Sequence, residues 1–151
     1  MGLLIAQLAV NRVLWAALIP WGLAQLIKVP LHYLLHREWD WGLLLSTGGM
    51  PSSHSALVTG AFIAVGLQEG FNSALFAIAF VVAMIVVYDA TGVRRHAGDH
   101  ARVINLMIDE LLTGHPLAEK ELKEVLGHTP REVLGGILLG MLMAYLIVKG
   151  I

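Results

Sequence analysis

Apolar positions fall into four long stretches divided by shorter polar ones. Leu3–Ile27 is interrupted weakly, at Gln7, Asn11-Arg12, Pro20 and Gln25, and Ser55–Leu67 is small and apolar. Ala74–Tyr88 has one charge-free run and Val133–Val148 another. With their flanks, Pro51–Gln68, Asn72–Val93 and Pro130–Lys149 are each long enough to cross a bilayer with some tilt. The pattern predicts four transmembrane helices. The first would carry Arg12 near its middle. That is expensive in hydrocarbon unless the residue faces the bundle, or the segment splits into a surface piece and a shorter span. Pro20 marks a candidate kink.

The connections differ in character. Gln68–Asn72 reads as a tight turn, and His36–Met50 ends in the turn-forming lead-in Ser46-Thr47-Gly48-Gly49. Arg94–Thr129 is the sizeable polar segment. Inside it, Asp99–Leu112 sets Val103, Leu106, Met107 and Leu111 at helical spacing, which predicts an amphipathic helix on the membrane surface or the bundle. Leu117–Leu126 is a second, shorter helix candidate. There is no internal repeat and no low-complexity tract.

Composition removes the soluble alternatives. Of 151 residues, 57% are hydrophobic and 14% charged, with mean hydropathy +0.73, against roughly 25% charged in an average soluble domain. A disordered chain, a nucleic-acid-binding tail and an ordinary soluble globule are excluded. The expected fold is all-α: an integral membrane helical bundle of about four transmembrane helices plus an amphipathic cytoplasmic helix, as one domain spanning 1–151. The net charge of −1 implies no polyanionic partner, and nucleic acid is not expected. The absence of Cys excludes disulfides, thiolate zinc sites and Cys nucleophiles. An apolar start without a basic segment argues against a cleaved signal peptide.

Charge then sorts the two faces. On an up-and-down path, Lys28, Arg37, Arg94, Arg95, Arg102, Lys120, Lys123 and Arg131 lie on the side where helix one ends, eight of the ten basic residues. Short loops rich in Lys and Arg face the cytoplasm, so that side is expected to be cytoplasmic, in a bacterial cell membrane. The same path sends Lys28, His54, Arg94-Arg95 and His128-Glu132 to one end of the bundle, a polar site at a membrane face.

Three segments there carry chemistry. In Gly48-Gly49-Met50-Pro51-Ser52-Ser53-His54-Ser55 the glycines permit close backbone approach, and the helix start that follows favours an anion. Ser52 and Ser53 add hydroxyls, and His54 has a proton to give. The plain alternative is a capped helix start with an incidental histidine. In Tyr88-Asp89-Ala90-Thr91-Gly92-Val93-Arg94-Arg95 two guanidinium forks suit phosphate, with Asp89 placed to orient one. The plain alternative is an orientation signal. In His128-Thr129-Pro130-Arg131-Glu132 the last four residues read as a capping box with proline at the first helical position. His128 is left over, and a carboxylate four residues on can fix its tautomer and leave the other nitrogen basic, as a nucleophile or general base requires. The i,i+4 pairs His32/His36 and His96/His100 have chelating spacing but no third spaced ligand, so polar interface residues are the favoured reading and no metal or other cofactor is expected. Gly136-x-x-x-Gly140 permits close helix packing.

Pro51-Ser52-Ser53-His54 followed by the later His-x-x-x-acid pair resembles the type-2 phosphatidic acid phosphatase superfamily, which includes the vanadium haloperoxidases. Its motifs are Lys-x6-Arg-Pro, Pro-Ser-Gly-His and Ser-Arg-x5-His-x3-Asp. Gly48–Ala56, Tyr88–Arg95 and Leu126–Pro130 look more specifically like its divergent branch of small bacterial and plastid members. The resemblance runs from about Lys28 to the last helix. It implies a helical bundle and metal-free phosphoester hydrolysis through a phosphohistidine. Carried over, His128 is the nucleophile, Glu132 its orienting acid in place of the usual Asp, and His54 the proton donor to the leaving oxygen. Ser53, with Gly49 supporting, stands where the motif holds a phosphate oxygen, and Lys28 is the first-motif lysine. Leu35 and Leu122 occupy the positions of the two motif arginines, and Arg94 and Arg95, or Arg37, are the candidate replacements.

The resulting expectation is a metal-independent lipid phosphate phosphatase, with phosphatidylglycerophosphate as the example substrate, working among membrane lipids. Homo-oligomerisation is allowed for. The rival from another class is a non-catalytic membrane protein that binds anionic headgroups or an oxyanion with the same cluster. A weaker third reading is metal handling by His96 and His100.

Overall fold

The computed structural model describes residues 1–46, 48–111 and 127–150, with the backbone alone for 93–96, 99 and 109–111. Among these residues there are six α-helices and no strand: α1 (Gly2–Ala9), α2 (Arg12–His36), α3 (Ser53–Glu69), α4 (Ala74–Thr91), α5 (Val93–Leu111) and α6 (Pro130–Lys149), with a 3-10 turn at Trp41–Leu44 between α2 and α3. The expected all-helical membrane bundle is what forms.

The expected first span, Leu3–Ile27, is not one helix. The chain breaks at Val10-Asn11, where the Asn11 side chain accepts a hydrogen bond from Leu14 N at 3.0 Å and caps a new helix. Arg12 therefore begins α2 instead of lying in mid-membrane. Its Nη1 donates to the Val148 carbonyl, 2.9 Å away, satisfying a carbonyl in the last turn of α6. At the other end α2 continues through Lys28 and Pro30 to His36, where Arg37 stops it in the left-handed conformation (φ 62°). Lys28 is thus two turns inside the helix, not at its end. Tertiary contacts override the local stop signal. At about 1.5 Å per residue, the 25 residues of α2 outrun a hydrocarbon core of about 30 Å.

The remaining starts follow the sequence closely. Ser52, Ser73 and Thr129 cap α3, α4 and α6, and Thr129 with Glu132 makes the expected capping box. α4 ends at Thr91, and Gly92 separates it from α5. Arg94 and Arg95 therefore sit in the first turn of α5 and do not close the preceding span. The amphipathic helix, expected over Asp99–Leu112, begins six residues earlier, and its Val103, Ile104, Leu106, Met107 and Ile108 are exposed. The candidate helix Leu117–Leu126 lies outside the described residues.

α2, α4 and α6 are long and apolar enough to cross a membrane. α3, the fourth expected span, has 17 residues, at the short end of the spanning range. It is the centre of the bundle, packed against α2, α4 and α6. α4 buries little more than Ala83 and Ala90, and presents Leu75, Ile78, Val81, Val82, Met84 and Ile85 outward.

In lipid, apolar surface alone does not drive helices together, so small residues that admit close contact decide the packing. A Cβ on Gly60 of α3 would stand 1.9 Å from the Ala16 carbonyl oxygen of α2. On Gly136 and Gly140 of α6 it would meet the Ser52 and Ala56 carbonyl oxygens at 2.3 and 2.6 Å. The Gly136-x-x-x-Gly140 pair is therefore the α6 side of the α3 contact. Ala16, Ala64, Ala144 and Val148 form the core at one end, so the start of α2 lies with the ends of α3 and α6. The order is up and down, and it brings the C-terminal half of α2 to the N-termini of α3 and α6.

Gly60→Ala is expected to separate α2 from α3 and lower stability by about 1–3 kcal/mol, the usual penalty of overpacking. Gly22→Ala, where a Cβ meets nothing within 4 Å, should be neutral or slightly stabilising. Thermal unfolding of the two variants in detergent checks the contrast. Thr129→Ala should cost about 1 kcal/mol through the lost cap, read by the same melt.

Candidate active site at one end of the bundle

Three chain segments distant in sequence converge on this end. Gly127, with φ 94°, takes a backbone conformation that suits glycine and leads into His128. The His128 N–H then donates to the Ala90 carbonyl at the end of α4, 2.9 Å away. His128 is buried at 3% exposure, with Nδ1 2.9 Å from Glu132 Oε2. The same Oε2 accepts from the Thr129 N–H at 3.1 Å. One carboxylate oxygen thus serves both the helix cap and the imidazole. With Glu132 ionised the ring donates from Nδ1, and Nε2 carries the lone pair. His128 Nε2 is buried and has no hydrogen-bond partner among the described residues.

α3 brings the serine-histidine segment alongside. The Ser52 N–H donates to the Glu132 carbonyl at 2.9 Å, tying the starts of α3 and α6 together. Ser52 Oγ accepts from Ser55 N and Ser55 Oγ at 3.3 and 3.0 Å, so it acts as a cap while its own hydrogen remains to be donated. Ser52 and Ser53 are buried. The His54 and His128 rings lie 6.0 Å apart between centroids, tilted at 58°. The two histidines of separate motifs are therefore neighbours.

α2 supplies the cation. Lys28 is 1% exposed, and its Nζ donates to the Ser46 carbonyl at 2.9 Å. Its aliphatic stem passes Gly49, where a Cβ would lie 3.7 Å from Lys28 Cδ. Gly49 has φ 87°, a left-handed value that favours glycine. Between these groups is a cavity of about 150 Å³ lined by Lys28, Leu31, His32, Leu35, His36, Leu43, Gly49, Met50 and Glu132.

Of the residues singled out from sequence, Lys28, Gly49, Ser52, Ser53, His54, His128 and Glu132 gather here. α4 meets the site through the Ala90 carbonyl, while the neighbouring Asp89 borders an apolar hollow with Met84, Ile85 and Tyr88. The side chains of Arg94 and Arg95 lie outside the described residues, as does that of His96. Arg37 is exposed at the end of α2. The sequence did not show that His32 and His36 line the same cavity as Lys28. They follow Lys28 at i+4 and i+8, one helical face, and that spacing becomes informative once α2 is known to continue past Lys28. Their rings are 4.5 Å apart, and among the described residues no group of three or more His, Asp or Glu is gathered as a metal site.

The chain is 51% identical over 137 residues to the uncharacterized membrane protein YuiD of Bacillus subtilis (strain 168), an alignment covering 81% of this chain and 87% of that protein. No solved structure matches it. The model of the divergent PAP2 family matches residues 9–143, which include α2, α3, α4 and the His128–Glu132 pair. The chain belongs to the divergent PAP2 family.

Proposed function

We propose that this membrane protein is a metal-independent phosphatase that hydrolyses a lipid phosphate through a phosphohistidine at His128. The observation that carries the reading is the dyad of buried His128 and half-buried Glu132, with Nε2 unpartnered among the described residues and the His54 ring beside that of His128. A carboxylate on Nδ1 is the arrangement that holds an imidazole nucleophile in its reactive tautomer.

In the first step the Nε2 lone pair attacks phosphorus, an N–P bond forms and the P–O bond to the lipid breaks. His54 delivers a proton to the departing oxygen, which leaves as an alcohol. Glu132 supports the positive charge that the ring acquires. In the second step water attacks phosphorus opposite the N–P bond, His54 takes the water proton, and orthophosphate leaves with the bonding pair returned to Nε2. Lys28 and the amides at the start of α3 are suited to the charge on the non-bridging oxygens. The basic face of the chain supports a cytoplasm-facing site, which fits a lipid intermediate such as phosphatidylglycerophosphate.

Purified protein should release phosphate from such a lipid in the presence of a chelator. His128→Ala should abolish turnover, and unchanged turnover would sink the mechanism. His54→Ala should lower kcat by about 10²–10⁴-fold, the usual contribution of a general acid. Glu132→Gln should lower it less, with acid-labile phosphate on His128 as a second readout. Oxyanion binding without turnover in the wild type would favour a headgroup-binding protein. Orientation is separately testable because the chain has no Cys: a single cysteine at Arg37 should react in intact cells with membrane-permeant thiol reagents and not with impermeant ones.

A further inference from the structure

We infer that the cavity between α2 and α6 is a phosphate oxyanion site in which His32, backed by His36, takes the place of the arginines absent from this chain. As the seat of the substrate's phosphate, the assignment rests on the phosphatase reading above; as an anion site, it stands on the cavity itself.

The geometry points to an anion. Lys28, a buried ammonium, lines the cavity, and its Nζ is anchored by the Ser46 carbonyl. His32 and His36 continue the same face of α2 into its wall. Glu132 also lines it, but Oε2 of that carboxylate is engaged by His128 Nδ1 and the Thr129 amide. An ammonium beside two imidazoles disfavours a cation and offers an oxyanion several N–H donors. Leu35 stands where an arginine would come seven residues after Lys28, and it too lines the cavity. The imidazoles one turn before it and one residue after it bracket that position. The remaining wall, Leu31, Leu43 and Met50, is apolar. Glu132 lines the cavity and bonds His128 Nδ1, which is the contact the cavity shares with the dyad.

α2 is long enough to make this placement physical. Its last buried residues are Lys28 and Val29, and the two turns beyond carry His32 and His36 toward the headgroup level. Tyr33 stacks on Trp39 at 4.4 Å between ring centroids and Trp39 on Trp41 at 5.7 Å, residue types that are enriched at membrane interfaces. A phosphate at that depth can belong to a lipid or come free from water.

The test uses the full chain in detergent or nanodiscs, with tungstate and orthophosphate as probes. Calorimetric titration should show binding by the wild type, weakened about tenfold or more in His32→Ala by loss of a charge-assisted hydrogen bond. His32→Gln, which keeps an N–H donor, should recover part of it. His36→Ala should show a smaller loss, and His100→Ala on α5 none. The His32 and His36 side chains lie beyond the last buried residues of α2, and matching melts would confirm that these variants fold. Nanodiscs containing phosphatidic acid, compared with phosphatidylcholine alone, distinguish the sources: competition by the phosphomonoester lipid assigns the site to a headgroup, and its absence with orthophosphate still bound assigns it to free phosphate. If His32→Ala and His36→Ala leave binding and KM unchanged while His128-dependent hydrolysis proceeds, the cavity assignment is overturned alone. If His32→Ala loses binding but the wild type hydrolyses no lipid phosphate, the phosphatase reading falls and the anion site remains. Absence of tungstate and orthophosphate binding in the wild type overturns the assignment outright.

Discussion

The backbone-to-backbone approach of α3 and α6 is the contact on which the rest depends. The Ser52 amide reaches the Glu132 carbonyl at 2.9 Å, and Gly136 lies directly under the Ser52 carbonyl, where a Cβ would be 2.3 Å away. Such closeness requires glycine, and in a bilayer it replaces the hydrophobic drive that helices have in water. It also sets the depth of two helix starts against each other. The serine-histidine segment and the histidine-glutamate pair meet because their helices begin at the same level and cannot drift apart.

The polar end of the bundle is costly to assemble in an apolar protein, and its groups are held accordingly. Lys28 has the Ser46 carbonyl, His128 has Glu132 on one nitrogen, and Glu132 answers to the capping amide as well. His128 Nε2, without a partner among the described residues, breaks the pattern. A buried polar atom without a partner is a liability for stability, and such exceptions concentrate where function needs them. Glu132 belongs both to the dyad and to the lining of the Lys28 cavity, and the His54 ring lies beside that of His128.

Much of this was legible in the sequence because caps and glycines act locally. Thr129-Pro130-Arg131-Glu132 specifies its own helix start, and the later apolar runs announce their helices without ambiguity. The first helix was not legible in the same way. Asn11 is a capping residue, yet it interrupts the apolar stretch only weakly, so the pattern left open whether that stretch is one helix or two. Lys28 follows the last residue of the expected span, yet the helix passes through it and through Pro30. Whether a lysine ends a span or is buried within it depends on whether a carbonyl waits for it, and Ser46 is eighteen residues away.

The sequence by itself determined a helical membrane bundle, its family motifs and the gathering of charge at one end, because hydropathy, capping and charge bias are properties of short segments. Only the tertiary structure decided the register of α2, and with it the move of Arg12 to the far end, the burial of Lys28 and the place of His32 and His36 in the lining of the Lys28 cavity. Those depend on which backbones approach closely enough to satisfy one another's polar groups, and that is a property of helices packed together in three dimensions.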